Sequence, residues 1–269
     1  MKVGFHLIIL KLGGSVITKK DAVEPEADYE NLERISREIA DSNVGDLIII
    51  HGAGSFGHPF AKKYDIGSPI KNENEFNQKK HGFVITQSWV KRLNSIVCEK
   101  LQEKGINAVS IQPSSFIMTK NKRIYKANLA LIKNYLKLGF VPVIYGDVVL
   151  DIDDSIKIAV LSGDQIIKYL AENFKPERVI LGSDVDGIYT KNPKKYADAK
   201  LIEEVSSLDD LELTEGASVV DVTGGMVGKL QELLILAQMG IESEIINASK
   251  LNLIKKALNG EKSIGTLIK

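Results

Sequence analysis

The chain has 269 residues, enough for one large α/β domain or two closely joined lobes, with 44% apolar and 26% charged residues, an ordinary globular balance that can bury a real core. Lys plus Arg total 35 and Asp plus Glu total 35, which argues against nucleic-acid binding through a general basic field. The single cysteine, Cys98, excludes an intrachain disulfide framework, and the longest apolar runs, such as Leu7–Leu10, are far too short to span a membrane.

In chain order, Met1–Leu10 lacks a signal-peptide profile and runs into a strand predicted over Leu7–Lys11, which points to a cytoplasmic protein. Helical periodicity follows over Tyr29–Ala40, then an apolar strand over Leu47–His51. The polar stretch Lys71–His81 reads as a surface loop or mobile helix ahead of a helix over Phe83–Glu103. Next come a strand over Ala108–Gln112, a helix over Leu129–Leu138 and a strand over Val141–Tyr145. Val148–Leu150 and Lys157–Val160 flank the turn-forming Asp153-Asp154-Ser155 and predict a β-hairpin. The remainder alternates again: helix Asp164–Asn173, strand Arg178–Gly182, helix Met226–Met239, strand Glu242–Ile246 and helix Leu251–Leu258. Blunt apolar strands between helices predict an α/β fold, a mostly parallel central sheet buried on both faces.

In such sheets ligands bind beyond the carboxyl ends of the strands, so the residues after each strand carry the most information. Four strand ends run into Gly-rich or acidic turns: Lys11-Leu12-Gly13-Gly14-Ser15, His51–His58, Tyr145-Gly146-Asp147 and Gly182–Gly187. Two more such turns, Ser162-Gly163-Asp164 and Asp221–Met226, stand at predicted helix starts. Glycines let backbone N–H groups converge on an anion, and a helix start adds unpaired N–H groups and a positive dipole end. The dipole is worth only about 0.3–1 kcal/mol at an exposed end, so lysines must supply much of the charge for a triphosphate. Lys11, Lys20 and Lys229 sit beside or within these turns.

Gly52-Ala53-Gly54-Ser55-Phe56-Gly57 is a literal G-x-G-x-x-G after a strand, the pattern of a dinucleotide site. That fingerprint also needs a second strand ending in Asp or Glu roughly 20 residues on, and the sequence after Gly57 runs instead into the polar stretch Asn72–Lys80. No P-loop, no metal-spaced Cys/His cluster and no G-x-S-x-G elbow occurs. Of the four histidines, His58 stands out because it directly follows a Gly-rich loop. Cys98 lies in an apolar-periodic stretch and reads as a small buried hydrophobe.

These motifs together resemble the amino-acid kinase superfamily, whose members bind ATP without a P-loop. The resemblance runs over nearly the whole chain, from Lys11-Leu12-Gly13-Gly14-Ser15 to Gly224-Gly225-Met226-Val227-Gly228-Lys229. Gly54-Ser55-Phe56-Gly57-His58, Ser110–Ser115 and Asp184–Tyr189 bring it closest to the isopentenyl phosphate kinase family, and the histidine at 58 is the sharpest discriminator. Ala53 stands where a third loop glycine is usual, a small departure.

The resemblance implies an open αβα sandwich formed by one domain over residues 1–269. An N-terminal lobe to about residue 170 would bind the phosphoryl acceptor, and the rest would bind ATP. It implies that Lys11 and Lys20 neutralise the transferring phosphoryl group and that Asp164 holds both lysines by ion pairing. Ala53 and Gly54 would offer N–H groups to acceptor and nucleotide respectively, and His58 would hydrogen-bond the acceptor phosphate, with Gly146 and Gly163 closing its pocket. Lys11, Gly13, Gly14, Ser15, Asp184, Gly187, Gly225 and Lys229 would serve ATP. The expected chemistry is direct in-line transfer from ATP, with Mg²⁺ on the nucleotide's oxygens and no dedicated protein metal site, making isopentenyl diphosphate in isoprenoid biosynthesis. Relatives suggest a homodimer with an isoprenoid monophosphate and ATP as its small-molecule partners.

An isoprenoid acceptor needs an apolar pocket, for which Phe76, Phe83, Val84 and Ile85 are candidates. Amino-acid acceptors carry a carboxylate, commonly held by a bidentate arginine. The five arginines, Arg34, Arg37, Arg92, Arg123 and Arg178, all lie outside the Gly-rich turns. The alternatives are another superfamily kinase, acting on acetylglutamate, UMP or an antibiotic phosphonate, or a non-catalytic sensor of the same fold. Lys11, Asp164 and Lys229 speak against the sensor, which has no use for transition-state charge.

Overall fold

Every residue of β1 (Ile8–Leu12) is buried, because this strand lies near the middle of an eight-stranded sheet with helices on both faces. The computed structural model describes residues 6–208, except 21, 23, 43, 192 and 194, together with 226–261 and 265–269. The other strands of this sheet are β2 (Leu47–His51), β3 (Ala108–Ser110), β6 (Val141–Tyr145), β9 (Arg178–Ser183), β12 (Glu204–Val205), β13 (Glu242–Asn247) and β14 (Thr266–Ile268). Their order is β12-β14-β13-β9-β1-β2-β6-β3, and only the β13–β14 pairing is antiparallel. Chain order divides along the sheet: β1, β2, β3 and β6 from the first half lie side by side, and β9 joins them to the second-half strands.

Side-chain alternation along the strands builds two cores. Ile9, Ile48 and Ile50 face a layer made by α5 (Leu129–Lys137), α6 (Gly163–Phe174) and α7 (Met226–Gln238), through Ile132, Ile166, Leu170 and Leu233. Ile8, Leu10, Leu47 and Ile49 face α2 (Tyr29–Ala40), α4 (Glu73–Gln102) and α8 (Leu253–Leu258), through Ile35, Val97 and Ile254. Each buried aliphatic side chain contributes roughly 1.5–3 kcal/mol. Lys11 follows Ile9 by two residues, so the alternation aims it at the α6 layer.

Of the two readings of Lys71–His81 the structure shows the helix: α4 begins at Glu73, where the Asn72 side chain accepts from the Glu75 N–H at 2.9 Å. Its polar face lies in solvent, so it shows little apolar period. Lys79 alone is buried in that stretch, its ammonium donating to the carbonyls of Asp65 and Ser68 at 3.0 Å each. The predicted hairpin forms as β7 (Asp147–Leu150) and β8 (Ile158–Leu161). Elements the sequence reading does not foresee are α1 (Gly14–Ile17), α3 (Gly54–Lys63), a second hairpin, β4 (Ile117–Lys120) with β5 (Arg123–Ala127), the short antiparallel pair β10 (Ile188–Tyr189) with β11 (Leu201–Ile202), and the sheet strands β12 and β14. No helix among the described residues is long and apolar enough to cross a membrane.

Candidate active site

Four neighbouring strands end level with one another. Leu12 of β1 is in register with His51 of β2 and Gly182 of β9, and His51 with Tyr145 of β6. The ladder continues past the strand ends, where the N–H groups of Gly13, Gly52 and Gly146 donate to the carbonyls of Gly182, Leu12 and His51 at 2.8, 2.9 and 3.0 Å. The Gly-rich turns are thereby stacked side by side; α1 and α3 start from the first two, and α6 starts from the Ser162-Gly163-Asp164 turn after Leu161.

The close stacking requires glycine. A Cβ on Gly14 would stand 2.4 Å from the Gly54 nitrogen, and Gly54 itself has φ +50° with a would-be Cβ 2.2 Å from Thr18 Oγ1. That hydroxyl donates to the Gly14 carbonyl at 2.7 Å and accepts from the Ser55 N–H at 3.2 Å, tying the first turn to the second. Across from them, a Cβ on Gly146 would lie 3.6 Å from the Gly163 nitrogen and 3.7 Å from the Ala53 nitrogen.

A cleft of about 440 Å³ opens above these turns. It is lined by Lys11, Gly13, Gly14, Ser15 and Lys20, by Ala53, Gly54 and His58, and by Gly146, Gly163 and Asp164. The sequence-predicted residues from the first half are thus brought to one cavity. Lys11 is buried and pairs with Asp164, which sits in the first turn of α6 behind an N-cap in which Ser162 Oγ accepts from the Gln165 N–H at 3.2 Å. Asp164 does not hold both lysines. Lys20 reaches Asp184 instead, at 2.8 Å, and Ser15 Oγ donates to the same carboxylate at 3.0 Å. The reason is positional: Lys20 lies beyond α1 on the side of β9, whereas Lys11 points toward α6. Burial works to raise the Asp184 carboxyl, but the lysine and the hydroxyl outweigh it and hold the group below the usual carboxylate range.

Gly187, with φ +156°, lies apart from the cleft lining and packs against Thr266, whose Oγ1 accepts from the Ile188 N–H at 2.8 Å. Gly225 falls outside the described residues; Lys229 lies on α7, but its side chain is also outside them. Among the described residues no group of three or more His, Cys, Asp or Glu side chains could hold a metal ion.

The apolar wall differs from expectation. Phe76, Phe83, Val84 and Ile85 do not line the cleft: Phe76 lies under the ammonium groups of Lys80 and Lys157, Val84 is 65% exposed, and Phe83 packs behind Val148. The wall is made by Ala61 of α3, Val90 of α4 and Val148 and Val160 of the β7–β8 hairpin, with Thr86 beside them. The hairpin residues carry no motif, so only the fold brings them to the site. Thr18, Ser55 and Asp147 also line the cleft. Burial raises the Asp147 carboxyl, against the pull of the Val148 and Ser114 N–H groups at 2.8 and 3.1 Å.

His51, at the base of the loop, is fully buried and stacks on Tyr145. Burial pushes it down to about 4, so the neutral ring donates from Nδ1 to the Gly52 carbonyl at 3.0 Å and accepts at Nε2 from the Asn94 amide at 3.1 Å. His51 therefore supports the loop from beneath, while His58 is exposed at the cleft. Cys98 is buried with its thiol pushed up to about 12 by burial, which makes it chemically inert.

A sheet whose strand ends stack glycine turns and lysines around one cleft defines a class of phosphate-handling α/β proteins without a P-loop. The chain belongs to the amino acid kinase family, whose model matches residues 6–247. Among its relatives it is 57% identical over 262 residues to the isopentenyl phosphate kinase of Methanothermobacter thermautotrophicus, covering 97% of this chain and 98% of that protein. The isopentenyl phosphate kinase of Methanocaldococcus jannaschii is 39% identical, covering 95% and 96%. A crystal structure of an isopentenyl phosphate kinase superimposes with a TM-score of 0.90 at 54% identity, over 98% of this chain and 100% of that one.

Proposed function

We infer that this chain is a phosphotransferase that uses ATP to convert isopentenyl phosphate to isopentenyl diphosphate. The observation that carries this reading is the composition of the cleft: lysines and stacked glycine turns, His58, and the apolar residues Ala61, Val90, Val148 and Val160 line one cavity. The kinship with isopentenyl phosphate kinases over nearly the full chain supports the same substrate. A carboxylate-bearing acceptor fits less well, because every arginine is engaged elsewhere. Arg34 donates to the Lys250 carbonyl, Arg37 to Glu33, Arg123 to Glu232 and Arg178 to the carbonyls of Ala257 and Leu258, and Arg92 lies over Trp89.

In the reaction an oxygen of the acceptor monophosphate attacks the γ-phosphorus of ATP in line, and the bond to the β–γ bridging oxygen breaks to release ADP. The acceptor is already ionised at pH 7, so charge compensation and positioning do the catalysis. Lys11, set by Asp164, neutralises the transferring group, and Lys20 joins it from Asp184. The N–H groups of Ala53 and Gly54 face acceptor and nucleotide respectively. His58 hydrogen-bonds the acceptor phosphate, and Gly146 and Gly163 close its pocket. Gly13, Gly14, Ser15, Asp184, Gly225 and Lys229 serve ATP, and Gly187 shapes the turn beyond Asp184. Residues 1 to about 170 thus form the acceptor half and the remainder the nucleotide half of one domain. Mg²⁺ enters with ATP, whose phosphates supply its oxygen ligands. The same reading makes the protein a cytoplasmic homodimer in isoprenoid biosynthesis.

The test is ADP release with ATP and Mg²⁺ across isopentenyl phosphate, acetylglutamate, glutamate and UMP. Isopentenyl phosphate is expected to give the highest kcat/KM. Preference for UMP or acetylglutamate overturns the substrate, and no turnover with any acceptor favours a sensor.

A further inference from the structure

Glu232, in the second turn of α7, is buried to 17% side-chain exposure and meets two cations from elements far away in sequence. Arg123 Nη2 of β5 donates to its Oε1 at 2.6 Å, and Lys168 Nζ of α6 lies 3.0 Å from its Oε2. The lysine contact has the geometry of an ion pair rather than an aligned hydrogen bond. One carboxylate thus joins the β4–β5 hairpin and α6 to α7. Its neighbours Leu230, Leu233 and Leu236 are in the core, so α7 is already held by apolar contacts, and the charges select one register of α7 on α6.

That register matters because each helix carries a residue assigned above to the phosphate site in its first turn, Asp164 on α6 and Lys229 on α7. Lys168 stands four residues, about one helical turn, after Asp164, the partner of Lys11. Glu232 stands about one turn after Lys229 on α7. We propose that Glu232 is a positioning residue that locks the nucleotide-half helix α7 onto the acceptor-half hairpin and α6, and so sets the distance between the ATP-binding residues and the Lys11–Asp164 pair. This rests on the assignment of ATP to the second half. It goes beyond it by placing specificity for a correctly seated nucleotide in a cluster that touches neither substrate.

The test measures KM for ATP and for isopentenyl phosphate in Glu232→Gln, in Arg123→Glu and in the exchanged pair Glu232→Arg with Arg123→Glu, made together with Lys168→Ala so that the new arginine meets no lysine, with melting temperatures taken without ligand. Glu232→Gln is expected to raise KM for ATP at least about fivefold while KM for the acceptor stays within about twofold, and the exchanged pair to recover part of the loss relative to Arg123→Glu alone. A lower melting temperature with both KM values unchanged, an equal rise in both, or no recovery in the exchanged pair overturns the proposal. Should Glu232→Gln not fold, Arg123→Gln, at a largely exposed side chain, carries the same comparison. If the wild-type chain shows no turnover with isopentenyl phosphate, the substrate reading fails separately. The same variants are then compared by the shift in melting temperature that Mg·ATP produces, which must be smaller in Glu232→Gln than in the wild type.

Discussion

Lys20 and Asp184 form an ion pair of 2.8 Å that crosses from the segment after α1 to the end of β9, separate from the pair that Lys11 makes with Asp164 of α6. Each cleft lysine therefore has its own carboxylate. The two pairs differ in burial: the Lys20 side chain is 58% exposed and that of Lys11 only 8%. An exposed pair is worth about 0–1 kcal/mol, so Lys20 can exchange Asp184 for a more highly charged phosphate at little cost.

Lys20→Ala is accordingly expected to change folding stability by less than about 1 kcal/mol while lowering kcat by about 10²-fold or more. Denaturant unfolding and steady-state kinetics check both halves. Lys11→Met should cost kcat at least as much and also destabilise the protein, because it removes one partner of a buried pair. A fall in stability with Lys20→Ala and none with Lys11→Met would reverse this ordering.

Gly54 is the tightest point of the stacked turns. Gly54→Ala places a methyl 2.2 Å from Thr18 Oγ1 at a backbone φ of +50°. The strain should cost on the order of 1–3 kcal/mol and push the second turn away from the first. The melting temperature is expected to fall and turnover to be lost together; full activity in a folded Gly54→Ala would mean that the turns need not touch.

The buried His51 makes stability depend on pH. Its value falls from 6.5 in the unfolded chain to about 4 in the folded one, so the unfolded state binds the proton first. The contribution is fully present above about pH 6.5 and is lost as pH falls toward 4, with a slope of up to about 1.4 kcal/mol per pH unit. His51→Gln should flatten the stability profile across that window relative to the wild type. An unchanged slope would show that another group carries it.

Much of this was legible in the sequence for identifiable reasons. The central strands were found because they are buried on both faces and read as blunt apolar runs, such as Ile48-Ile49-Ile50. The turns that follow them were found because glycine beside lysine or aspartate marks an anion site. The start of α4 is hard to place from sequence because its first nine residues are mostly exposed and polar, with only Lys79 buried, closing the Asp65–Ser68 turn. Phe76, Phe83, Val84 and Ile85 attract the expectation of an apolar wall because large residues suggest a pocket, whereas Val148 and Val160 reach the cleft through the hairpin pairing Val148↔Val160. The partner of Lys20 depended on β9 lying beside β1, a tertiary pairing that no local pattern encodes.

The central claim, that the loop from His51 to His58 is the acceptor side of a two-sided phosphate site, is tested most directly by His58→Ala. Kinetics with isopentenyl phosphate and ATP should show kcat/KM for the acceptor falling by at least about tenfold, the loss of a hydrogen bond to a charged group, while the affinity for ATP stays within about twofold. An equal loss of ATP affinity, or an unchanged kcat/KM for the acceptor, would contradict it.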